Sequence, residues 1–217
     1  MKVGATVAVL IVDDHAVVRE GYRRLLERAE DIVIAGEAAS AAEAYQVFCR
    51  TNPDVVVMDI SLPDVSGIEA MRRLLLRDAR AKVLAFSIHD EAVFASRAVE
   101  AGARGYVTKA SAPEVLVDAV RAVARGKMFL SSDIAQTLAV RSVLRRDDEL
   151  STLSDREFEV MRLLAQGHSV RDIAAKLCLN YKTVANYQTI IRQKLGVESP
   201  VQLLRIAEQH GLLPGNR

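Results

Sequence analysis

Along the first 125 residues the apolar positions gather in short, nearly continuous runs: Val7 to Val12, Ile32 to Ala35, Val55 to Met58, Val83 to Phe86 and Tyr106 to Val107. Most are β-branched and none alternates with polar residues, the pattern of strands buried on both faces of a parallel sheet. Helical stretches lie between them and announce their own starts. Ser40 with Glu43, Ser66 with Glu69, and Ser111 with Glu114 each match a capping box, in which two side chains satisfy the free amides of a helix N-terminus. Gly102 and Gly126 follow the last two of these helices, where left-handed backbone is wanted. The order βαβαβαβαβα over about residues 6 to 125 predicts one α/β domain, a doubly wound five-stranded parallel sheet.

After Gly126 the strand signal disappears. Ser132 to Arg146 reads as one helix, and Arg145, Arg146, Asp147, Asp148 and Glu149 as a solvated linker. Four helical segments follow. Ser154 with Glu157 makes another capping box, Gly167 closes that helix, Ser169 and Asp172 open the next, and Asn180 caps a third. Ser199, with Pro200 first and Gln202 third, starts the last. The expected division is therefore an α/β domain over 1–125, a helical linker over 126–150, and a small all-α tetrahelical domain over 151–217.

Composition narrows the class. Half the residues are hydrophobic and 26% are charged, as in ordinary globular proteins. No apolar run approaches the length that spans a bilayer, and no charged leader precedes the first one, so the expectation is a cytoplasmic protein without membrane contact. Cys49 and Cys178 have no metal-ligand spacing and read as reduced thiols. The net charge of +1 hides an asymmetry: from Ser151 onward nine Lys and Arg stand against six Asp and Glu, and before it 20 against 22.

In open parallel sheets, functional groups gather beyond the carboxyl ends of the strands, where strand order reverses. Asp13 and Asp14 end the first run, Asp59 the third and Ser87 the fourth, while Lys109 follows the fifth. Three carboxylates brought together repel one another, and a divalent cation removes the difficulty. Oxygen ligands alone suit Mg²⁺. One carboxylate can then act as nucleophile toward a phosphoryl group, with Mg²⁺ and the Lys109 ammonium neutralising the transferring oxygens. Asp59, alone on the central strand, is the expected nucleophile. His15 and His89 are read as lining the cleft.

The segments "VDDH" at 12–15, "VMDISLPDVSG" at 57–67, "AFSIHD" at 85–90 and "GYVTKA" at 105–110 resemble the four signature segments of receiver domains, which share the flavodoxin-like strand order. The resemblance implies that Asp13 and Asp14 arrange the metal, that Asp59 is the phosphoacceptor, that Lys109 pairs with the phosphoryl group and that Ser61 lends a backbone carbonyl to Mg²⁺. Ser87 and Tyr106 resemble the hydroxyl and aromatic positions that move on activation, Tyr106 turning into space that Ser87 vacates. An enzyme reading has a counterpart in haloacid-dehalogenase-type phosphohydrolases, but these need a second Asp two residues after the nucleophile. That position is Ser61, so no enzyme activity is expected.

Residues 153–197, "LSDREFEVMRLLAQGHSVRDIAAKLCLNYKTVANYQTIIRQKLGV", resemble the LuxR-type helix-turn-helix of NarL/FixJ response regulators. From the residues themselves, Asp172 to Leu177 and Tyr181 to Leu195 are expected as helices joined by a turn at Cys178 to Asn180. Val184, Ile191 and Leu195 share one face and should enter the core. No acidic residue lies between Asn180 and Gly196, which fits a helix seated in a major groove. Ala185, Asn186 and Thr189 are expected to face bases, and Lys182, Thr183, Arg192 and Lys194 to hold phosphates. Many relatives carry Lys where this chain has Ala185 and His where it has Tyr187, so base preference should differ from theirs.

The resemblance implies a sensor histidine kinase as phosphoryl source, double-stranded DNA as partner, RNA polymerase as a candidate contact and a homodimer on phosphorylation, since one small helix-turn-helix reads few bases. The competing function is a regulator working through protein contacts or constitutive DNA binding, with the phosphorylation site vestigial.

Overall fold

The computed structural model describes residues 6–62, 65–143 and 149–213, with the side chains of 141–143 left aside. Residues 1–143 and 144–217 form two compact units. In the first, β1 (Val7–Val12), α1 (Ala16–Glu27), β2 (Ile32–Ala38), α2 (Ala41–Thr51), β3 (Val55–Asp59), α3 (Gly67–Arg77), β4 (Val83–Ser87), α4 (Ala92–Glu100), β5 (Gly105–Thr108) and α5 (Pro113–Ala124) alternate as the apolar runs predict. All neighbouring strands are parallel, in the order β2-β1-β3-β4-β5 extended by one more strand.

That addition is β6 (Phe129–Leu130), which pairs with β5 through Gly105↔Phe129 and Tyr106↔Leu130. The sheet thus has six strands, not the five expected. A two-residue strand carries no periodicity to read, and the open edge of β5 decides it. α6 (Ser132–Val143) follows and packs against α4, with Ile134 fully buried. Residues 126–143, expected to open the linker, thereby add a strand and a helix to the sheet unit. The continuation expected to Arg146, and most of the polar linker stretch, lie outside the described residues.

The strands are buried on both faces, as their composition requires. Val9, Ile11, Val57, Leu84, Phe86 and Val107 point to one side and meet Leu116, Ala119, Val120 and Val123 of α5. Leu10, Val56, Met58, Ala85 and Tyr106 alternate with them on the other side and are equally enclosed. Covering both faces removes alternation from the sequence, which is why continuous runs were the right signal.

Helix starts follow their caps with differences. Ser40 Oγ accepts from the Glu43 amide, but the Glu43 carboxylate reaches back to Ala39 N–H, one residue earlier than a capping box places it. Ser66 accepts from Ile68 N–H, while Glu69 turns to Arg73 four residues on. Ser111 is not a cap: Ala112 holds that position with Pro113 in the first turn, and the Ser111 hydroxyl meets Thr108 instead.

The second unit contains a 3₁₀ turn (Glu149–Thr152), α7 (Asp155–Ala165), α8 (Val170–Lys176), α9 (Tyr181–Leu195) and α10 (Pro200–Gln209). Ser154 with Glu157, Ser169 with Asp172 and Ser199 with Gln202 form complete capping boxes, and Asn180 accepts from Thr183 N–H to start α9. Leu150, Phe158, Met161, Ile173, Val184, Ile191 and Ala207 are buried in its core.

Candidate functional site

Strand order runs outward in both directions from β1 and β3, so the crevice at their carboxyl ends is the topological switch point. Asp59 ends β3 and Asp13 follows β1 by one residue. Both are almost enclosed, each side chain 3% exposed. Lys109, one residue past β5, places its ammonium 2.6 Å from Asp13 Oδ2 and 2.6 Å from Asp59 Oδ2. The other Asp59 oxygen accepts from the Ser61 amide at 3.0 Å. Burial pushes the Asp59 carboxyl up, and the Lys109 ammonium and the Ser61 amide oppose that without cancelling it. Burial works against the Lys109 charge too, but the two carboxylates outweigh it and hold the amine protonated above its ordinary range.

Asp14 completes the cluster. Its Oδ1 is buried and accepts no hydrogen bond among the described residues. It lies 2.9 Å from His15 Nδ1, a contact close enough for attraction but not directed as a hydrogen bond. Candidate ligand atoms of Asp13, Asp14, His15 and Asp59 fall within 4.8 Å of one another. At that separation two carboxylates repel by on the order of 3 kcal/mol at an effective dielectric constant of about 20. One ammonium cannot neutralise three carboxylates, and a buried oxygen without a donor has room for a cation. The oxygen-dominated donor set fits a hard divalent ion such as Mg²⁺.

The pocket has supports that sequence spacing could not signal. Arg19 donates from Nη1 to the Asp13 carbonyl at 2.6 Å and from Nε to Glu37 at 3.0 Å, tying the end of β1 to β2. Gly67 lets α3 start against the end of β3: a Cβ there would collide with the Asp59 carbonyl oxygen. At the end of β4, Ser87 is fully buried and its hydroxyl accepts from His89 N–H at 3.1 Å. Tyr106 is fully buried, and its hydroxyl donates to the His89 carbonyl at 2.8 Å. Tyr106 thus occupies the interior position to which the expected turn would bring it. The ring already fills the interior, because its hydroxyl finds a carbonyl there.

In the second unit, Val184 and Ile191 of α9 are buried and Leu195 is half-buried, as expected of the core-facing stripe. Lys182, Asn186 and Thr189 are exposed on the opposite side, while Thr183, Ala185 and Arg192 are half-buried at its margins. Gln193 continues the exposed stripe at helical spacing and was absent from the expected set. Thr183 is partly committed to the cap, since both its amide and its hydroxyl engage Asn180. Lys194 is placed differently from the rest. Its ammonium donates to Glu157 at 2.7 Å, joining α9 to the start of α7.

Residues 9–121 match the response regulator receiver domain, and residues 151–207 match the luxR family of bacterial regulatory proteins. The chain is 38% identical over 207 residues to the response regulator UvrY of Escherichia coli K12, covering 94% of each protein. It is a response regulator of the NarL/FixJ type.

Solved structures agree with this placement. A LuxR-family two-component response regulator from Aurantimonas sp. SI85-9A1 is 48% identical over 64% of this response regulator and 99% of its own chain, with a TM-score of 0.63. RcsB of Salmonella enterica serovar Typhimurium, solved on the rprA promoter with the phosphomimetic BeF₃⁻, is 26% identical over 92% of this chain and 97% of its own, with a TM-score of 0.66. No helix among the described residues of this response regulator is long and apolar enough to cross a membrane.

Proposed function

We propose that this response regulator accepts a phosphoryl group on Asp59 and, in that state, binds a specific duplex DNA sequence more tightly through α9. The observation that carries this reading is the Lys109 ammonium, 2.6 Å from both Asp13 and Asp59, beside a buried Asp14 oxygen that receives no hydrogen bond from the described residues. The Asp59 carboxylate attacks phosphorus; an O–P bond forms while the bond to the donor's leaving atom breaks, and the leaving group departs with the electron pair. Lys109 stays protonated and draws the phosphoryl oxygens toward it. Mg²⁺ held by Asp13, Asp14, Asp59 and the Ser61 carbonyl would neutralise charge on those oxygens. The residue two beyond the nucleophile, where phosphohydrolases of the aspartyl-phosphate type carry their acid/base Asp, is Ser61, and on that ground the chain acts as a phosphoprotein rather than an enzyme.

The protein works in the cytoplasm, its phosphoryl source is a cognate sensor histidine kinase, and residues 1–125 receive the signal that residues 151–217 read out, connected by 126–150. On DNA, Ala185, Asn186 and Thr189 contact base edges, and Lys182, Thr183 and Arg192 contact phosphates. Lys194 is left out because Glu157 engages its charge. Two copies bind two half-sites as a phosphorylated homodimer, and RNA polymerase is the partner at the promoter. Intact-mass measurement with acetyl phosphate tests the central step: the wild type gains one phosphoryl mass only with Mg²⁺, and Asp59→Asn gains none. Equal labelling of both would overturn the assignment, and DNA binding indifferent to phosphorylation would favour a constitutive regulator.

A further inference from the structure

Beyond the pocket, β5 holds a second set of bonds that the phosphorylation chemistry does not use. Thr108, in the last position of β5, is directly opposite Ser87 in the β4–β5 register. It immediately precedes Lys109, and its side chain is almost fully buried. Its hydroxyl donates to Asp133 Oδ2 at 2.9 Å, across 25 residues of sequence. A hydroxyl has one proton, so the 2.9 Å contact between Thr108 Oγ1 and Ser111 Oγ must have Ser111 as donor. The result is a directed chain, Ser111 to Thr108 to Asp133, that ends on a carboxylate in the first turn of α6. The backbone follows the same line: Phe129 N–H donates to Arg104 O and Ser131 N–H to Tyr106 O. The start of α6 is thus fastened to the strand that carries Tyr106 and leads into Lys109.

We infer that Thr108 and Asp133 are positioning residues for the phosphorylation response, passing a shift at the ends of β4 and β5 to α6, from which the chain continues to the DNA-binding domain. This rests on the reading of Asp59 as phosphoacceptor. A phosphoryl group on Asp59 attracts Lys109 and the Ser87 hydroxyl, and both movements act on Thr108, one through the peptide bond and one through the strand register. The side-chain bond to Asp133 then converts a displacement of β5 into one of α6. Without the Thr108 hydroxyl, the two backbone bonds still hold β6 in place, but the α6 carboxylate no longer follows.

The test uses the full-length chain as wild type, Thr108→Val, Asp133→Asn and the double variant. Val keeps the β-branched shape of Thr, and neither Thr108 nor Asp133 belongs to the cluster of Asp13, Asp59 and Lys109 or to α9. Four quantities are read: acetyl-phosphate labelling by intact mass, DNA affinity with and without labelling, the thermal midpoint, and hydrogen exchange of residues 131–140. The expected result is unchanged labelling, unphosphorylated DNA affinity and thermal midpoint in all variants. The phosphorylation-induced gain in DNA affinity falls about fivefold or more, the lower end of ordinary allosteric coupling, in either single variant and no further in the double. Phosphorylation changes exchange at 131–140 in the wild type alone. Full gain in both single variants, or losses that add in the double, would overturn the inference while leaving the phosphoacceptor reading intact. A wild type that labels but gains no DNA affinity would overturn phosphate control itself, and the role of the pair with it.

Discussion

Replacing Lys109 by Met removes the cation that the pocket is built around while keeping the length of the side chain. The lysine side chain is 11% exposed and its two carboxylate partners 3% each, so solvent screens little of the interaction. Two charge-assisted hydrogen bonds of 2.6 Å are lost, each contributing about 1.5–3 kcal/mol. Breaking a buried pair by deleting one partner commonly costs about 3–5 kcal/mol, because the remaining charges stay desolvated. Met recovers part of this by packing toward Phe86, over which the ammonium now lies at 5.9 Å from the ring centroid. We expect a net loss of about 3 kcal/mol near pH 7 without Mg²⁺. Urea unfolding followed by far-UV circular dichroism measures it, and exchange of the Val56 and Val57 amides assigns it to the sheet unit. The pH dependence has a definite sign. Asp59 already sits above its ordinary value through burial, and losing Lys109 raises it further. A carboxyl whose folded value exceeds its unfolded one binds protons more tightly when folded, so stability falls as pH rises from the unfolded value through the folded one. The deficit of Lys109→Met should therefore shrink on going from about pH 7 to about pH 5, as a proton takes the place of the ammonium. Saturating Mg²⁺ should shrink it at neutral pH for the same electrostatic reason, since a ligand bound only by the folded state stabilises it. A deficit below about 1 kcal/mol, or one indifferent to both pH and Mg²⁺, would refute the view that these carboxylates require a cation.

Asn186→Ala should relax preference at one base pair, costing about 1–3 kcal/mol against the correct base, whereas Lys182→Ala should weaken all sequences alike and lower the salt dependence. Titrations of both variants at several salt concentrations decide this, and identical behaviour would mean that the base-facing side of α9 is misplaced. Ser87→Ala should still label with acetyl phosphate, because nucleophile and cation site remain, yet lose most of the phosphate-induced gain in DNA affinity; a retained gain would show that the signal leaves the pocket without Ser87.

Much of this protein is written locally. The five continuous apolar runs became five strands because burial on both faces demands apolar residues at every position, and that demand is visible in a single chain. The carboxylates and lysine were legible for a related reason: a parallel sheet delivers the end of every strand to one edge, so Asp13, Asp59, Ser87 and Lys109 could be placed together from strand ends alone. α9 was read with its bounds because Asn180 caps it and Gly196 ends it, both local events.

What the sequence left open depends on partners far along the chain. β6 exists because β5 offers an unpaired edge, and Phe129–Leu130 is too short to declare itself. Ser111 is a local exception: it fits a capping box by spacing, but Thr108, three residues away, takes its hydroxyl and Pro113 sets the helix start. Lys194 looks like a phosphate contact on a helical wheel until Glu157 of α7, 37 residues earlier, faces it. Tyr106 falls in a run read as a buried strand, but the partner of its hydroxyl, the His89 carbonyl 17 residues earlier, is known only from the fold. The division follows from range. Periodicity and capping are set within a few residues, whereas the choice among several hydrogen-bonding or charged partners is settled only when the folded chain brings one of them within about 3 Å and buries it from water.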